Sequence, residues 1–434
     1  MTLGRQSIFG IAIKAFSILL GFLVVAILAR VLSPAVYGIY SVALASVTIM
    51  AIPTAMGLPN YVVREIAGAL SEDNPRLARQ IFRAAVTLVL MLAAVVVAGA
   101  LIWTLVIHSS DQTGQAVLWL GLGLVPAMAL TQVTGAALRG VGGHMLGLLV
   151  GQVLRHLLFL CLLVVWVLLP ASLTGGLSAL SAMGLHALAA TLALSVGLLI
   201  WWRLQPALQG ATTGAQLQMR AMLGSTGVMG VISGAQILND NLDVIMLGIL
   251  DGAEAAGLYK LGATAALVTV AGLQAINMVM MPHFARLHRE GNTAALQALA
   301  TRSVRLILLT ALPTSVLLVA LGRPLISLAF GPEYIDSYLP MVIRVTGQLV
   351  SALFGSVITI LNMTGHEVDT MKGVLLGTLV NVVLNALLIP IYGPTGAAIA
   401  TAITVVAWNI YLHRLVRKRL AINSTPFPFL NVAR

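Results

Sequence analysis

The chain has 434 residues, 59% of them hydrophobic and only 9% charged, against about 25% charged in soluble domains. So few charges cannot cover a water-facing surface, which excludes an ordinary soluble globular protein and makes lipid the main solvent. A net charge of +11 would suggest a nucleic-acid partner in a soluble chain. In a membrane chain it is what basic cytoplasmic loops produce, so no nucleic acid is expected.

The single cysteine, Cys161, excludes an intramolecular disulfide and a multi-cysteine metal site. Long apolar runs, rather than short alternating ones, point to helices and away from an outer-membrane barrel. The class expected is an all-α polytopic membrane protein.

Crossing about 30 Å of hydrocarbon takes about 20 apolar residues in helical form. Apolar stretches bounded by charge, Pro or Gly predict twelve spans, over 8–32, 36–58, 82–107, 116–138, 145–170, 178–202, 222–250, 256–281, 304–328, 339–363, 371–391 and 394–415. Arg5 and Lys14 before the first run imitate a signal peptide, but eleven further spans make it an ordinary first membrane helix. Twelve spans put both termini on one side. Placing them in the cytoplasm assigns 18 of the 24 basic residues to that side, among them Arg220 and Arg434. Only Arg30, Lys260 and Arg323 then lie outside, and Lys14, Arg155 and Arg344 fall within spans. Trp103, Trp119, Trp166, Trp201, Trp202 and Trp408 all fall near span ends, where indole rings favour the interface.

The longest polar connections, 59–81, 203–221 and 282–303, are too short for a soluble domain and are expected to form short amphipathic surface helices. In the first of them Arg76, Arg79 and Arg83 share one helical face, suited to anionic headgroups or to plain positive-inside anchoring.

The two halves echo one another. Leu28-Ala-Arg-Val-Leu-Ser-Pro-Ala-Val-Tyr-Gly-Ile-Tyr40 lies 219 residues before Leu247-Gly-Ile-Leu-Asp-Gly-Ala-Glu-Ala-Ala-Gly-Leu-Tyr259, so Gly38 and Tyr40 meet Gly257 and Tyr259. At the same offset Arg83 meets Arg302. This predicts a parallel repeat of six and six spans, residues 1–210 forming an N-terminal lobe and 211–434 a C-terminal lobe with a short basic tail. Six is even, so the pseudo-twofold axis runs along the membrane normal, as in transporters whose two bundles rock about a central cavity.

Ile27-Leu-Ala-Arg-Val-Leu-Ser-Pro-Ala-Val-Tyr-Gly-Ile-Tyr40, followed by Gly57-Leu-Pro-Asn-Tyr-Val-Val-Arg-Glu-Ile-Ala67, resembles the opening of the polysaccharide transporter (Wzx-like) flippases. Asp243-Val-Ile-Met-Leu-Gly248, Phe330-Gly-Pro-Glu-Tyr334, Leu361-Asn-Met-Thr-Gly365 and Leu388-Ile-Pro-Ile-Tyr-Gly-Pro-Thr-Gly-Ala-Ala398 look like later segments of that family in the right order. The resemblance implies membership of the multidrug/oligosaccharidyl-lipid/polysaccharide exporter superfamily and two six-helix lobes around a V-shaped cavity. It also implies a cargo, an oligosaccharide on undecaprenyl diphosphate, moved from the cytoplasmic to the periplasmic leaflet for surface polysaccharide biosynthesis. Membrane lipids, and polymerase or ligase components of that assembly, are the partners it suggests.

None of the four lysines, Lys14, Lys260, Lys372 and Lys418, follows a glycine, so no phosphate-binding nucleotide loop is present to power transport. Eight scattered histidines and one cysteine form no recognisable triad or metal constellation. The expectation is a non-enzyme without a cofactor.

Ionisable groups inside spans are costly and normally face a cavity, which makes each a functional candidate. Lys14, Arg155 and Arg344 are the candidate cations for substrate. Arg155 lies too deep in span 5 to snorkel, and its fork could grip a diphosphate bidentately, or else hold helix carbonyls or pair with Asp240 or Asp243. Lys14 could instead snorkel to headgroups, and Arg344 could be interfacial. His156 and His186 read as bundle histidines.

Span 7 carries Gln236, Asn239, Asp240, Asn241 and Asp243. Gln236, Asp240 and Asp243 share a face, and Asn239 lies four residues before Asp243. This stripe suits ion coupling by a proton or Na⁺ through Asn239, Asp240 and Asp243, or a structural clamp. Arg64 and Glu65 match a family R-E pair and are candidate gates of the cytoplasmic mouth, or simply an interfacial salt bridge. The leading expectation is a lipid-linked oligosaccharide flippase. A cation-coupled exporter of drugs or metabolites and a non-transporting scaffold for polysaccharide enzymes stand as alternatives.

Overall fold

The computed structural model describes residues 3–55, 57–106, 111–170, 172, 175–204 and 227–426, and among them regular structure is helical throughout. The expected lobe boundary at 210/211, Arg220, Arg434 and most of the connection 203–221 lie outside the described residues.

The helices in chain order are α1 (Leu3–Val31), α2 (Pro34–Met50), α3 (Leu58–Ser71), α4 (Pro75–Val106), α5 (Gln112–Gly121), α6 (Leu124–Gly140), α7 (His144–Leu168) and α8 (Ala179–Leu204). After the undescribed stretch come α9 (Gly227–Leu250), α10 (Ala253–Arg289), α11 (Thr293–Ala329), α12 (Tyr338–Ala352), α13 (Val357–Met363) and α14 (Glu367–Leu420). Among the described residues nine helical stretches are long and apolar enough to cross a membrane, and the pair Pro332–Ala352 and Val357–Met363, bent by 45°, makes a tenth. The 54-residue α14 would run about 80 Å if straight, more than twice the hydrocarbon thickness. It breaks at Gly393 (φ 53°, ψ −131°), a conformation glycine adopts without a Cβ clash, and so supplies two crossings. With α9 the total reaches the twelve segments expected, and the molecule is a multi-pass helical membrane protein.

Two expectations are corrected. The connection 282–303 is no separate surface helix: α10 runs on to Arg289, Gly291 turns the chain at φ 65°, and α11 begins at Thr293, where the Asn292 side chain accepts from the Ala295 amide at 2.9 Å. Once the cap satisfies the free amides, helical hydrogen bonding continues past the bilayer edge. Likewise only α3 of the 59–81 connection stands alone, because α4 already starts at Pro75. Trp201 is the second correction, since it is buried against Phe82 with ring centroids 4.3 Å apart, while Trp202 and Trp103 are exposed. An indole with an aromatic partner in a helix groove gains packing that the interface does not offer.

The chain divides into two compact units, one comprising Ile8–Leu32 and Ile39–Ile237, the other Met1–Ser7, Ser33–Gly38 and Leu238–Arg434. In the first, α6 is the most enclosed helix. Val133, Ala136, Ala137 and Leu138 pack against Val62 and Ile66 of α3 and Ala85 and Val89 of α4. Gly135 on α6 faces Gly147 and Gly151 on α7, where an added Cβ on Gly135 or Gly147 would meet the other helix's backbone. The backbones therefore cross closely, the small-residue packing that drives helix association in lipid. At this crossing α7 opens into a π turn, Leu149–Val153.

The second unit has its core where Phe284, Leu296, Ile360, Leu361, Leu412 and Val416 meet. The segment Ser33–Gly38 packs here too: Gly38 lies on the backbone of Ala253, and Gly257 lies on the backbone of Pro34. These pairs are reciprocal, since 34 and 253, like 38 and 257, are separated by the 219-residue offset of the sequence echo.

Candidate functional site

Among the described residues each unit carries a buried polar cluster. In the second unit it is built around Asp243, fully buried on α9. The repulsion of a carboxylate by low dielectric is offset only by dense hydrogen bonding, and three helices supply it, one of them from both sides of its break. Asn385 Nδ2 (α14) donates to Oδ1 at 2.6 Å, Thr401 Oγ1 (α14, beyond the break) donates to Oδ2 at 2.6 Å, and the Tyr259 hydroxyl (α10) donates to Oδ2 as well. Arg344 (α12) places Nη1 3.4 Å from Oδ2 and donates to the Tyr259 oxygen, its guanidinium carbon 5.5 Å from that ring's centroid. Asn385 also donates to Asn381 Oδ1 at 3.0 Å. Within this cluster Asn385 Oδ1, Asn381 Nδ2 and Arg344 Nε are buried without a hydrogen-bond partner among the described residues, leaving spare donors and an acceptor around the carboxylate.

Of the expected span 7 stripe, Asn239 and Asp243 are buried while Asp240 is exposed. The enclosed pair is thus the one four residues apart. Lys260 on α10 lies within electrostatic reach of both carboxylates. Arg344 sits at 8% exposure as the counter-ion of Asp243, not at an interface.

In the first unit a cavity of about 290 Å³ is lined by Lys14 and Ser17 of α1, Pro59 of α3, Gln132 and Arg139 of α6, and Gly151, Gln152 and His156 of α7. Two cations and three neutral polar side chains line it beside His156, with no carboxylate among the lining residues. The π turn shapes one wall. There the Gln152 carbonyl accepts from Ser17 Oγ at 2.9 Å and from His156 Nδ1 at 3.0 Å, fixing α1 against α7. π turns of this kind concentrate at functional sites.

Arg155 sits behind this wall. Its Nη1 lies 3.0 Å from His186 Nε2 and its Nη2 lies 3.5 Å from His156 Nε2. The His186 ring stacks on Phe159, centroids 4.4 Å apart and 9° from parallel, and its Nδ1 meets the Tyr40 hydroxyl at 2.8 Å. Lys14 and Arg155 therefore serve different groups: Lys14 lines the cavity beside Arg139, and Arg155 is held by two imidazoles.

Arg64 and Glu65 pair with one another at 2.9 Å on α3, with side chains 64% and 37% exposed; such a pair contributes under about 1 kcal/mol. Arg139, Gln132 and Gln152 of the cavity, and Tyr259 and Thr401 beside Asp243, are the residues that charge-in-span reasoning missed. The repeat was the signal available for one of them. Tyr40 and Tyr259, equivalent at the 219 offset, each hydrogen-bond a side chain on a later helix of the chain half they belong to, His186 on α8 and Thr401 on α14.

The chain is similar to several known proteins. Over 175 residues it is 23% identical to a probable low-salt glycan biosynthesis flippase, Agl15, of Haloferax volcanii, a match over 40% of this chain and 36% of that protein, so little more than a third of that relative is spanned. Its fold matches an inward-facing multidrug resistance MATE family transporter of the MOP superfamily with TM-score 0.75 at 13% identity, over 96% of this chain and 98% of the other. It also matches the lipid II flippase MurJ in an inward closed conformation with TM-score 0.66 at 13% identity, over 94% and 87%. A family model described as polysaccharide biosynthesis protein matches residues 3–288, and on that match the chain belongs to this family of membrane proteins.

Proposed function

We propose that this protein is a flippase that carries a lipid-linked oligosaccharide across a bacterial inner membrane, from cytoplasmic to periplasmic leaflet, by alternating access. Both termini face the cytoplasm, following the basic loops. The observation that carries the reading is the cavity of the first unit, where Lys14 and Arg139 face a space without a carboxylate in its lining. Opposed cations in a partly desolvated pocket suit the diphosphate that joins an undecaprenyl chain to its glycan. The sugar then crosses in contact with polar side chains while the polyprenyl tail stays in lipid. An exporter of cationic drugs would need the opposite sign in such a cavity.

Coupling to an ion gradient is assigned to the second unit. Asp243, Asn381, Asn385 and Thr401 gather hard oxygen donors of the kind that take a proton or Na⁺, with Arg344 as the resident cation that the coupling ion relieves.

Depleting the protein in its native bacterium and analysing extracted lipids by mass spectrometry tests the reading. An undecaprenyl diphosphate oligosaccharide is expected to accumulate as the surface polysaccharide disappears, and a Lys14→Gln/Arg139→Gln variant that still inserts is expected not to restore it. Normal polysaccharide with no trapped intermediate overturns the assignment.

A further inference from the structure

His186 is buried on α8 with both ring nitrogens engaged, Nδ1 with the Tyr40 hydroxyl at 2.8 Å and Nε2 with Arg155 Nη1 at 3.0 Å. A guanidinium offers only N–H donors, so Nε2 has to present its lone pair. The ring is therefore the neutral tautomer that carries its proton on Nδ1 and donates it to Tyr40. An imidazolium would set N–H against N–H. As long as Arg155 holds this position, His186 has no free site for a proton.

Arg155 in turn is held by neutral groups. Among the described residues no carboxylate lies within ion-pairing distance of it, and its partners are the imidazoles of His186 and His156. The His156 ring is also a wall of the Lys14–Arg139 cavity, so one side chain separates the guanidinium from that space. A guanidinium held by neutral partners gains a charge-assisted, bidentate contact by exchanging them for a phosphate. Among α4, α5, α6 and α7, the helices packed on α8, and α2, which carries Tyr40, the titratable groups that face His186 are Tyr40, Arg155 and His156.

We propose that His186 is a proton-binding site controlled by Arg155. When a diphosphate anion enters the cavity, Arg155 turns from His186 to the anion, and the uncovered Nε2 lone pair takes one proton from hydronium, which the buffer acid replenishes. One N–H bond forms as one O–H bond of hydronium breaks to leave water, no other covalent bond changes, and the negative charge added by the cargo falls by one. Anion and proton binding are then linked, each strengthening the other by the same factor. This rests on reading the cavity as an anion site.

The test uses the full-length protein in detergent with UDP-N-acetylglucosamine, a soluble diphosphate diester that lacks the second ionisation a phosphate monoester shows at about pH 6. Calorimetry in two buffers of different ionisation enthalpy counts the protons taken up per anion bound. The expected result is an uptake approaching one proton, with affinity rising by up to about tenfold per unit fall in pH. Uptake is expected to vanish in His186→Gln with binding retained, to persist in His156→Gln, and binding itself to weaken in Arg155→Gln. Binding without uptake in the unaltered protein, or uptake that survives His186→Gln, overturns the proposal and leaves the flippase reading standing. Failure of the probe to bind overturns both the proposal and the anion cavity, whichever way the lipid analysis falls.

Discussion

Asp243 is tolerable in an apolar bundle only because each carboxylate oxygen is bonded and a cation lies 3.4 Å away. Removing one partner of such a buried pair costs about 3–5 kcal/mol, because the other charge is left uncompensated, whereas removing both costs far less. Asp243→Asn is therefore expected to lower the thermal midpoint of the purified protein sharply. Adding Arg344→Gln to it should recover most of the loss, a result readable by fluorescence-detected size exclusion after heating. A double variant that loses as much as the two single variants summed would mean that the two charges do not depend on one another. The sequence made Asp243 conspicuous, since a carboxylate inside a span is costly. Arg344 stood out as well, but its pairing with Asp243, 101 residues away, did not, and Asn385 and Thr401, 142 and 158 residues away, look like ordinary packing groups on apolar helices.

Helices α6 and α7 show what happens one level up, where a glycine decides how closely two cavity walls approach. A Cβ on Gly147 would come 2.6 Å from Arg139 Cγ and 2.9 Å from the Arg139 amide nitrogen, whereas a Cβ on Gly151, one turn further on, has its nearest neighbour at 3.8 Å. Gly147→Val is expected to push the helices apart at a cost of about 1–3 kcal/mol and to separate Arg139 from Gln152, with transport lost in a complementation assay. Gly151→Ala should be nearly neutral in both stability and transport. Similar effects at the two positions would show that the crossing does not set the cavity. At this scale much was legible beforehand. The twelve apolar stretches, and the break between spans 11 and 12 at Gly393 between Tyr392 and Pro394, follow from hydropathy and turn chemistry. The π turn was not legible, because Leu149–Val153 is compositionally ordinary and its extra residue is accommodated by tertiary contacts to α1 and α6. Helix ends beyond the bilayer were misjudged for a related reason, since hydropathy marks the edge of lipid and the caps mark the edge of the helix.

For the whole chain, the most informative feature of the sequence is the 219-residue echo, and the structure gives it a physical meaning that the letters alone did not contain. Two copies of a segment can repeat without touching, yet Gly38 packs on Ala253 and Gly257 packs on Pro34 within one compact unit. A local pseudo-twofold contact of this kind is self-complementary: each glycine makes room for the other copy's backbone, as at an isologous interface. The two positions are then one site, and their substitutions should not add. Gly38→Val and Gly257→Val are each expected to destabilise the protein, while the double variant should lose markedly less than the sum, because the first side chain has already forced the backbones apart. A coupling energy above about 0.5 kcal/mol in a double-mutant cycle, read from unfolding midpoints, is the expected outcome. Additivity within that margin would mean that each glycine is required by its own surroundings, and the echo would then record ancestry without a shared contact.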